Sequence, residues 1–224
     1  MVNGVYLVLT DTVNGGGFIN EKFYSLPEEK QHRIINAGYH VFGYNSYKKS
    51  PVSEIALTAG ISKSLLFHYF HNKKELYLFL WNEAMKLTSR ALVDGHCYES
   101  CDLFEMMLRG MNAKFSLMKI YPDLTAFTMN AFYEKDPAVS SEIQQSYQTV
   151  AASSTTSTLK GLNPADFRSG LDIEMMIKTM YWTCEGYLWE ALKSDHIDID
   201  VWEKDFKKII EFWKSAYCRE EQKG

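Results

Sequence analysis

The chain has 224 residues, of which 46% are hydrophobic and 14% aromatic, so it is long enough to bury a core and too apolar to remain unfolded. Its formal net charge is −4, which argues against a nucleic-acid-binding surface over the whole molecule. The charge is uneven, because residues 1–75 contain eight lysines and arginines against six acids, whereas the remainder carries −6. Such a distribution is typical of a protein that contacts phosphate at one end only.

The four cysteines, at positions 97, 101, 184 and 218, form no disulfide framework for a chain of this size. No secretory signal or membrane-spanning segment is recognisable, so we expect a cytoplasmic protein without membrane contact. His96 lies close to two of the cysteines, but a zinc pattern needs a second ligand pair, and none is present. No catalytic motif or phosphate-binding loop occurs either. We therefore expect no catalytic site, no metal and no cofactor.

Apolar residues recur at helical spacing from residue 25 onwards, and no useful strand alternation occurs, so the fold class is all-α. Residues 1–24 show the weakest pattern and are expected to form a flexible leader. We divide the rest into a small three-helix domain, residues 25–71, and a larger helical domain, residues 72–220. Asn72 and Glu75 form a capping box that opens the first long helix of the larger domain.

Residues 50–76 predict two short helices joined by a tight turn. Ser50 and Pro51 are typical of a helix start, because proline lacks an N–H group that would have no partner there. Gly60 is typical of a helix end, where left-handed backbone is favoured. Together the segments form a helix-turn-helix, whose second helix has a diameter suited to the DNA major groove.

The second helix of this motif is expected over residues 63–70, capped by Ser62. Leu66 and Phe70 form its inward pair. Its outward set is small, basic and aromatic, and consists of Lys63, Ser64, Leu65, His68 and Tyr69. Many enzymes contain a helix, a glycine turn and another helix, so these residues by themselves indicate DNA binding without settling it.

A longer pattern surrounds the two short helices. Its residues are Ile34, Ala37, Phe42, Val52, Ile55, Ala56, Ala59, Gly60, Ile61, Ser62, Leu66, Tyr69, Phe70, Lys73 and Leu76. With them, the run from Arg33 to Glu75 resembles the N-terminal domain of the TetR family of transcriptional repressors. Three positions depart from the family pattern: Ser46 replaces a usual glycine, Phe67 replaces a tyrosine, and Lys74 stands where an acid is common. We expect Ser46 to weaken its turn slightly, because a residue with a Cβ atom is disfavoured at positive φ.

The resemblance implies a DNA-binding regulator that binds double-stranded operator DNA as a homodimer and is released by a small-molecule effector. By family correspondence the base-reading residues are Ser53, Ser62, Lys63, Ser64, Leu65 and Phe67. The residues expected at the DNA backbone are Ser50, His68, Tyr69 and Lys73. Two alternatives stay open: Lys63 as a solvated surface lysine, and Tyr69 as a core aromatic.

The last two predicted helices, over residues 172–193 and 200–219, have little polar circumference, so each must be covered on more than one side. A second copy of the chain would cover them most simply. The resemblance likewise implies dimerisation through these two helices. The predicted dimer interface contains Tyr187, Trp189, Ile209, Phe212 and Trp213.

The methionines and aromatics of the larger domain have two interpretations, as a filled core or as the lining of a cavity for a largely apolar effector. The candidate pocket residues are Met106, Met107, Met111, Phe115, Phe127, Phe132, Met176, Met180 and Tyr181. The existence of a cavity is implied by the resemblance alone. An alternative function is a helical ligand carrier or protein-interaction module that does not use its helix-turn-helix.

Overall fold

The computed structural model describes residues 21–193 and 198–219, which fold into helices without a β-strand, so the all-α expectation is confirmed. The α-helices are α1 (Glu21–Tyr24), α2 (Glu28–Gly43), α3 (Val52–Thr58), α4 (Lys63–Tyr69), α5 (Lys73–Asp94), α6 (Leu103–Ile120), α7 (Leu124–Phe132), α8 (Ser140–Gly161), α9 (Ile173–Ala191) and α10 (Ile199–Tyr217). Short 3₁₀ turns lie at Cys97–Glu99 and Pro164–Asp166. Within these ranges no helix is both long and apolar enough to cross a bilayer.

The helices pack as two compact units. The first contains the described chain up to residue 91 together with residues 116–154, and the second contains residues 92–115 and the described chain from 155 onwards. The helix-turn-helix domain predicted for residues 25–71 therefore shares its unit with α7 and most of α8. Helices α5, α6 and α8 each contribute residues to both units.

Aromatic rings fill the core of the first unit. Phe127 of α7 is wholly buried and stacks on Tyr39 of α2, with ring centroids 5.1 Å apart. Tyr77 of α5 meets Phe42 edge to face at 4.7 Å, a geometry that stabilises aromatic pairs beyond their buried area. Phe132, half-buried, lies 4.4 Å from the ring of Tyr147. The predicted pocket residues Phe127 and Phe132 thus belong to the first unit and not to the core that holds Met176 and Met180.

The core of the second unit is built from α6, α9 and α10. Met106, Met176 and Met180 are buried in it together with Trp213, which is only 4% exposed. The expectation that Trp213 faces a partner copy is therefore wrong, because its face of α10 points into the unit's own core. Arg168 donates hydrogen bonds at the end of α10, at 2.9 Å to Ser215 O of the last turn and at 3.2 Å to the O of the C-cap residue Cys218.

The turn between α3 and α4 follows the sequence pattern at its glycine. Gly60 has φ +67°, the left-handed backbone expected at the end of α3. Ser46, by contrast, does not have positive φ, since His96 is the sole non-glycine residue of the described chain with that backbone. The expected weakening of the turn by Ser46 is therefore wrong.

The start of α3 differs from the prediction. The helix begins at Val52, its N-cap is Pro51, and no side chain caps it. Ser50 is 1% exposed, and its hydroxyl donates to Ser46 O at 2.9 Å, so it stabilises the preceding loop and not the helix end. Ser50 was expected to cap because proline favours the first helical position, but here Pro51 itself lies one residue outside the helix.

Residues 21–24 correct the expectation of a flexible leader, whose other residues, 1–20, lie outside the described chain. They form α1, and Phe23 is only 1% exposed. The Phe23 ring lies 5.2 Å from Phe70 and 5.0 Å from Phe79, so α1 covers the back of α4. Two adjacent aromatics, Phe23 and Tyr24, in a four-residue segment give no helical periodicity from which this packing could be predicted.

We predict that Gly60→Ala destabilises the protein by about 1–2 kcal/mol, because an L-residue with a Cβ atom is strained in left-handed backbone. An added Cβ would meet no atom within 4 Å, so the loss would come from backbone conformation and not from a clash. Chemical denaturation measures it. Gly60→Asn should lose less, since asparagine tolerates this conformation. Gly170→Ala is the companion variant and should lose a similar amount, because Gly170 also has left-handed backbone, φ +83°, and an added Cβ there meets no atom within 4 Å. Unchanged stability of Gly60→Ala would contradict the prediction.

Candidate nucleic-acid interface

Helix α4 has one buried face and one exposed face. Leu66 is wholly buried and Phe70, directly after the helix, is 5% exposed, whereas Lys63, Ser64 and His68 are exposed. The predicted inward pair is therefore confirmed. The exposed face is basic at its first residue, which is where a helix entering the major groove brings side chains to base edges.

The N-terminus of α4 is fixed by its cap. Ser62 Oγ accepts a hydrogen bond from the backbone N–H of Leu65 at 3.1 Å, and it lies 3.0 Å from Ser64 Oγ. The predicted cap is confirmed. Ser62 remains exposed while it caps, so the residue that sets the helix start also lies on the exposed face of α4.

The predicted base-reading residues differ in exposure. Ser53, Ser62, Lys63 and Ser64 are exposed, and Leu65 and Phe67 are half-buried. Lys63 Nζ lies 5.7 Å from the centroid of the Phe67 ring, one helical turn later. A cation and an apolar ring edge are therefore adjacent on α4, the combination that can donate to guanine and contact a thymine methyl group.

Tyr69 does not lie on the exposed face. It is 6% exposed because the Phe23 ring of α1 packs edge-on against it, with centroids 6.1 Å apart. The interpretation of Tyr69 as a core aromatic agrees with this burial, and its assignment to the outward face is wrong. His68 is exposed, and Lys22 Nζ of α1 lies 3.3 Å from His68 Nε2. Helix α1 thus adds a cation beside His68.

Lys73 is already engaged within the protein. Its ammonium group donates to Lys48 O at 3.3 Å and lies 4.9 Å from the centroid of the Tyr47 ring. Burial lowers the pKa of Lys73, and the neighbouring Asp136 and Glu134 oppose this shift. Lys73 therefore holds the loop that precedes α3 against the start of α5.

Lys48 and Lys49 extend the basic surface beyond the residues predicted from sequence. Both are exposed in the loop before α3. The sequence signal for this basic surface was a pair of adjacent lysines in the loop shortly before the motif's first helix. Together with Lys63 they place three exposed lysines around the helix-turn-helix.

The start of α5 lies directly behind α4. Asn72 Oδ1 accepts from the backbone N–H of Glu75 at 2.9 Å, and Asn72 Nδ2 donates to Glu75 Oε1 at 2.8 Å. The predicted capping pair is confirmed. A capped helix N-terminus with its positive dipole end is a favourable neighbour for phosphate.

Apolar side chains are exposed on the last two helices. Phe212 of α10 is 67% exposed and Trp189 of α9 is 36% exposed. Tyr181, predicted to line a pocket, is 46% exposed on α9 and so belongs to this surface. Tyr187 and Ile209 are half-buried. We call the exposed set, Met175, Tyr181, Trp182, Trp189, Val201 and Phe212, the apolar surface of the second unit.

The residues near the 3₁₀ turn at Cys97–Glu99 have ordinary partners. Cys97 Sγ donates to Met106 O at 3.2 Å, and burial raises the pKa of its thiol. His96 Nδ1 lies 2.9 Å from Glu99 Oε1. In the part of the chain that the structure covers, no group of three or more His, Cys, Asp or Glu side chains could hold a metal ion.

Comparison with known proteins agrees with this geometry. Residues 34–79 match the family model of bacterial regulatory proteins of the tetR family, which spans α2 from Ile34, the helix-turn-helix and the start of α5. The fatty acid metabolism regulator protein of Bacillus subtilis (strain 168) is 23% identical over 159 residues, or 70% of this chain and 80% of that protein.

Solved structures share the fold over most of the chain. A TetR family transcriptional regulator from Chloroflexus aurantiacus J-10-FL has a TM-score of 0.63 at 18% identity, covering 91% of this chain and 100% of that one. The regulator FadR from Bacillus subtilis, solved in complex with stearoyl-CoA, has a TM-score of 0.58 at 22% identity, covering 82% and 97%. Residues 34–79 thus carry a helix-turn-helix domain of the tetR type, and the chain around it has the fold that these TetR family regulators share.

Proposed function

We propose that the protein is a homodimeric repressor that binds a two-fold symmetric operator through α4 and leaves it when an acyl-CoA thioester binds the second unit. The observation that carries the DNA half is the division of α4 into a buried apolar face and an exposed face bearing Lys63 and Ser64. The effector half rests on the relative solved with stearoyl-CoA and on the methionine-rich core of the second unit.

The base contacts would come from the first turn of α4. Lys63 Nζ can donate to O6 and N7 of guanine, and the Phe67 ring can pack on a thymine methyl group. The exposed hydroxyls of Ser53, Ser62 and Ser64 can donate to bases or phosphates. Phe67 has no hydroxyl to offer a phosphate.

The backbone contacts would come from exposed cations around α4. Lys48, Lys49 and His68 are the candidates, with Lys22 beside His68. Ser50 is buried and Lys73 is engaged within the protein, which leaves them in supporting roles. Tyr69 keeps its phosphate role as a prediction, restricted to the small exposed part of its side chain.

We predict that Lys63→Met weakens operator binding by about 1–3 kcal/mol and relaxes the base preference at one position, because the guanine contact is lost. Lys49→Met should instead weaken binding to every duplex alike and reduce the slope of log K against log salt by about 0.9, as one phosphate contact is removed. Operators selected from random duplexes and titrated at several salt concentrations give both quantities. Lys160→Met, which changes an exposed lysine at the end of α8, is the control and should change neither. A wild-type chain that binds no duplex with a salt slope would favour the ligand-carrier alternative.

Two copies are needed to place two α4 helices about 34 Å apart, in successive major grooves. The apolar surface of the second unit supports such a pairing, because a stable interface has an apolar core and a C₂ pair repeats the same patch on both copies.

We predict that Phe212→Glu converts the dimer to a monomer, because a charge would be buried at the centre of the interface. Sedimentation equilibrium measures the mass, and operator affinity should fall with it. Ile120→Glu is the control, since Ile120 is 53% exposed in the first unit and lies outside the proposed interface. A Phe212→Glu protein that stays dimeric would rule out this face.

The effector would bury its acyl chain in the second unit. Methionine side chains adapt to apolar ligands of variable shape, and Met106, Met111, Met176 and Met180 are buried there. Release requires the ligand to bind the DNA-incompetent conformation more tightly than the competent one, since equal affinity for both shifts nothing.

We predict that stearoyl-CoA lowers operator affinity at least tenfold and raises the melting temperature, whereas coenzyme A without an acyl chain does neither at the same concentration. Operator titration and thermal unfolding with both compounds measure these effects. A series of shorter acyl chains should lose effect with each two carbons, by about 0.8 kcal/mol per methylene no longer buried. Tight binding of the thioester with unchanged operator affinity would contradict the coupling.

A further inference from the structure

The helix-turn-helix is held from both sides by one segment of the chain. Residues 130–142, from the end of α7 to the first turn of α8, contact the loop before α3 and also the start of α5 behind α4. We call these residues the clamp. They lie far outside the sequence region that carries the family pattern, and no base or phosphate role has been assigned to them.

Asn130 forms hydrogen bonds with the end of α2 and with the loop that follows it. Its Nδ2 donates to Phe42 O at 2.9 Å and to Asn45 O at 2.9 Å. Both partners are carbonyl oxygens, so the orientation of the amide is fixed by its chemistry, with the nitrogen facing them. The carbonyl of Phe42 lies in the last turn of α2, where helix carbonyls lack intrahelical partners.

Glu134 binds the same loop at Tyr47, two residues after Asn45. Its Oε2 accepts from the backbone N–H of Tyr47 at 2.6 Å, and its Oε1 accepts from the N–H groups of Lys135 at 2.8 Å and Asp136 at 2.9 Å. Both carboxylate oxygens are therefore used. A hydrogen bond to an ionised acceptor is stronger than a neutral one, so this contact holds the loop more firmly than the backbone bonds around it.

The other side of the motif is held through Lys74. Its Nζ lies 2.9 Å from Glu142 Oε1 of α8. Lys74 is one of the departures from the family pattern, in which an acid is common, and Glu142 supplies its opposite charge. Lys73, the residue before Lys74, joins this side to the first by donating to Lys48 O. The two flanks of the helix-turn-helix are thus tied to the clamp and to each other.

We propose that Asn130, Glu134 and Glu142 are positioning residues for operator recognition, which set the orientation of α3 and α4 without touching DNA. This inference rests on the proposed function. Base readout requires side chains to be held within roughly 0.5 Å of their productive positions, whereas phosphate contacts of flexible lysines tolerate larger errors. Loosening the clamp therefore lowers affinity for the operator more than affinity for unrelated duplex. A loss of stability alone would lower both in proportion.

The first test is Asn130→Asp, which keeps the size of the side chain and places a carboxylate oxygen against two carbonyl oxygens. We expect operator affinity to fall about tenfold or more while affinity for non-specific duplex changes less than twofold. Gln148→Glu is the matched control, because it makes the same amide-to-carboxylate exchange on an exposed side chain of α8. It should leave the ratio of specific to non-specific affinity unchanged.

The second test is Glu142→Lys, which changes an exposed side chain and so can be measured even if Asn130→Asp does not fold. It adds positive charge, which by electrostatics alone would strengthen DNA binding. Positioning predicts the opposite for the operator, a loss of about two- to fivefold, since Lys74 loses its partner and meets a like charge. The double exchange Lys74→Glu with Glu142→Lys restores the pair and should restore the ratio of specific to non-specific affinity.

The outcomes separate this inference from the proposed function. A wild-type protein that shows no operator preference overturns the proposed function itself. With wild-type preference intact, an unchanged ratio in both Asn130→Asp and Glu142→Lys overturns the positioning role, and so does a parallel fall in specific and non-specific affinity. If Asn130→Asp fails to fold, Glu142→Lys and its charge exchange decide alone.

Discussion

The structure depends on the burial of one face of a helix that is too short to be stable by itself. Helix α4 has seven residues, whereas isolated helices need about 12–15 to persist in water. Leu66, Tyr69 and Phe70 supply the missing stability from the buried side, with Phe23 of α1 packed behind them. The exposed side can then remain polar and basic, because packing and the Ser62 cap maintain the helix without it.

The same constraint explains why cations are distributed as they are. A net charge of −4 would repel DNA if it were uniform, so attraction must be local. Lys48, Lys49 and Lys63 are exposed around the motif, while Lys73 and Lys74 are tied to protein partners. These lysines therefore differ in their contacts. Lys48, Lys49 and Lys63 are exposed and available to phosphate, whereas Lys73 and Lys74 bind other parts of the protein around the helix-turn-helix.

The sequence predicted what local patterns encode and missed what distant chain segments impose. The cap at Ser62, the left-handed Gly60 and the inward Leu66 follow from neighbours in the chain and were predictable. The burial of Tyr69 depends on Phe23, 46 residues earlier, and was not. Trp213 lay on one of two apolar stripes of α10, and helical periodicity alone cannot say which stripe faces the core. The partner of Lys74, Glu142 of α8, lies 68 residues later in the chain, so no local pattern could predict the pair.

A response to an effector places two opposite requirements on the contacts that hold α4 in position. A repressor must hold α4 firmly enough to read bases, yet a ligand supplies only its difference in affinity between two conformations, commonly 1–3 kcal/mol. A reading helix fixed solely by its hydrophobic core would cost more than that to reorient, because cores of this kind are close-packed and not continuously deformable. Polar contacts such as those of Asn130 and Glu134 are individually weaker, and they are directional. A small displacement of α7 or α8 would therefore change their free energy by an amount that ligand binding can supply. The clamp joins the end of α7 and the first turn of α8 to both sides of the helix-turn-helix, so a displacement of either helix would act on the motif through these contacts.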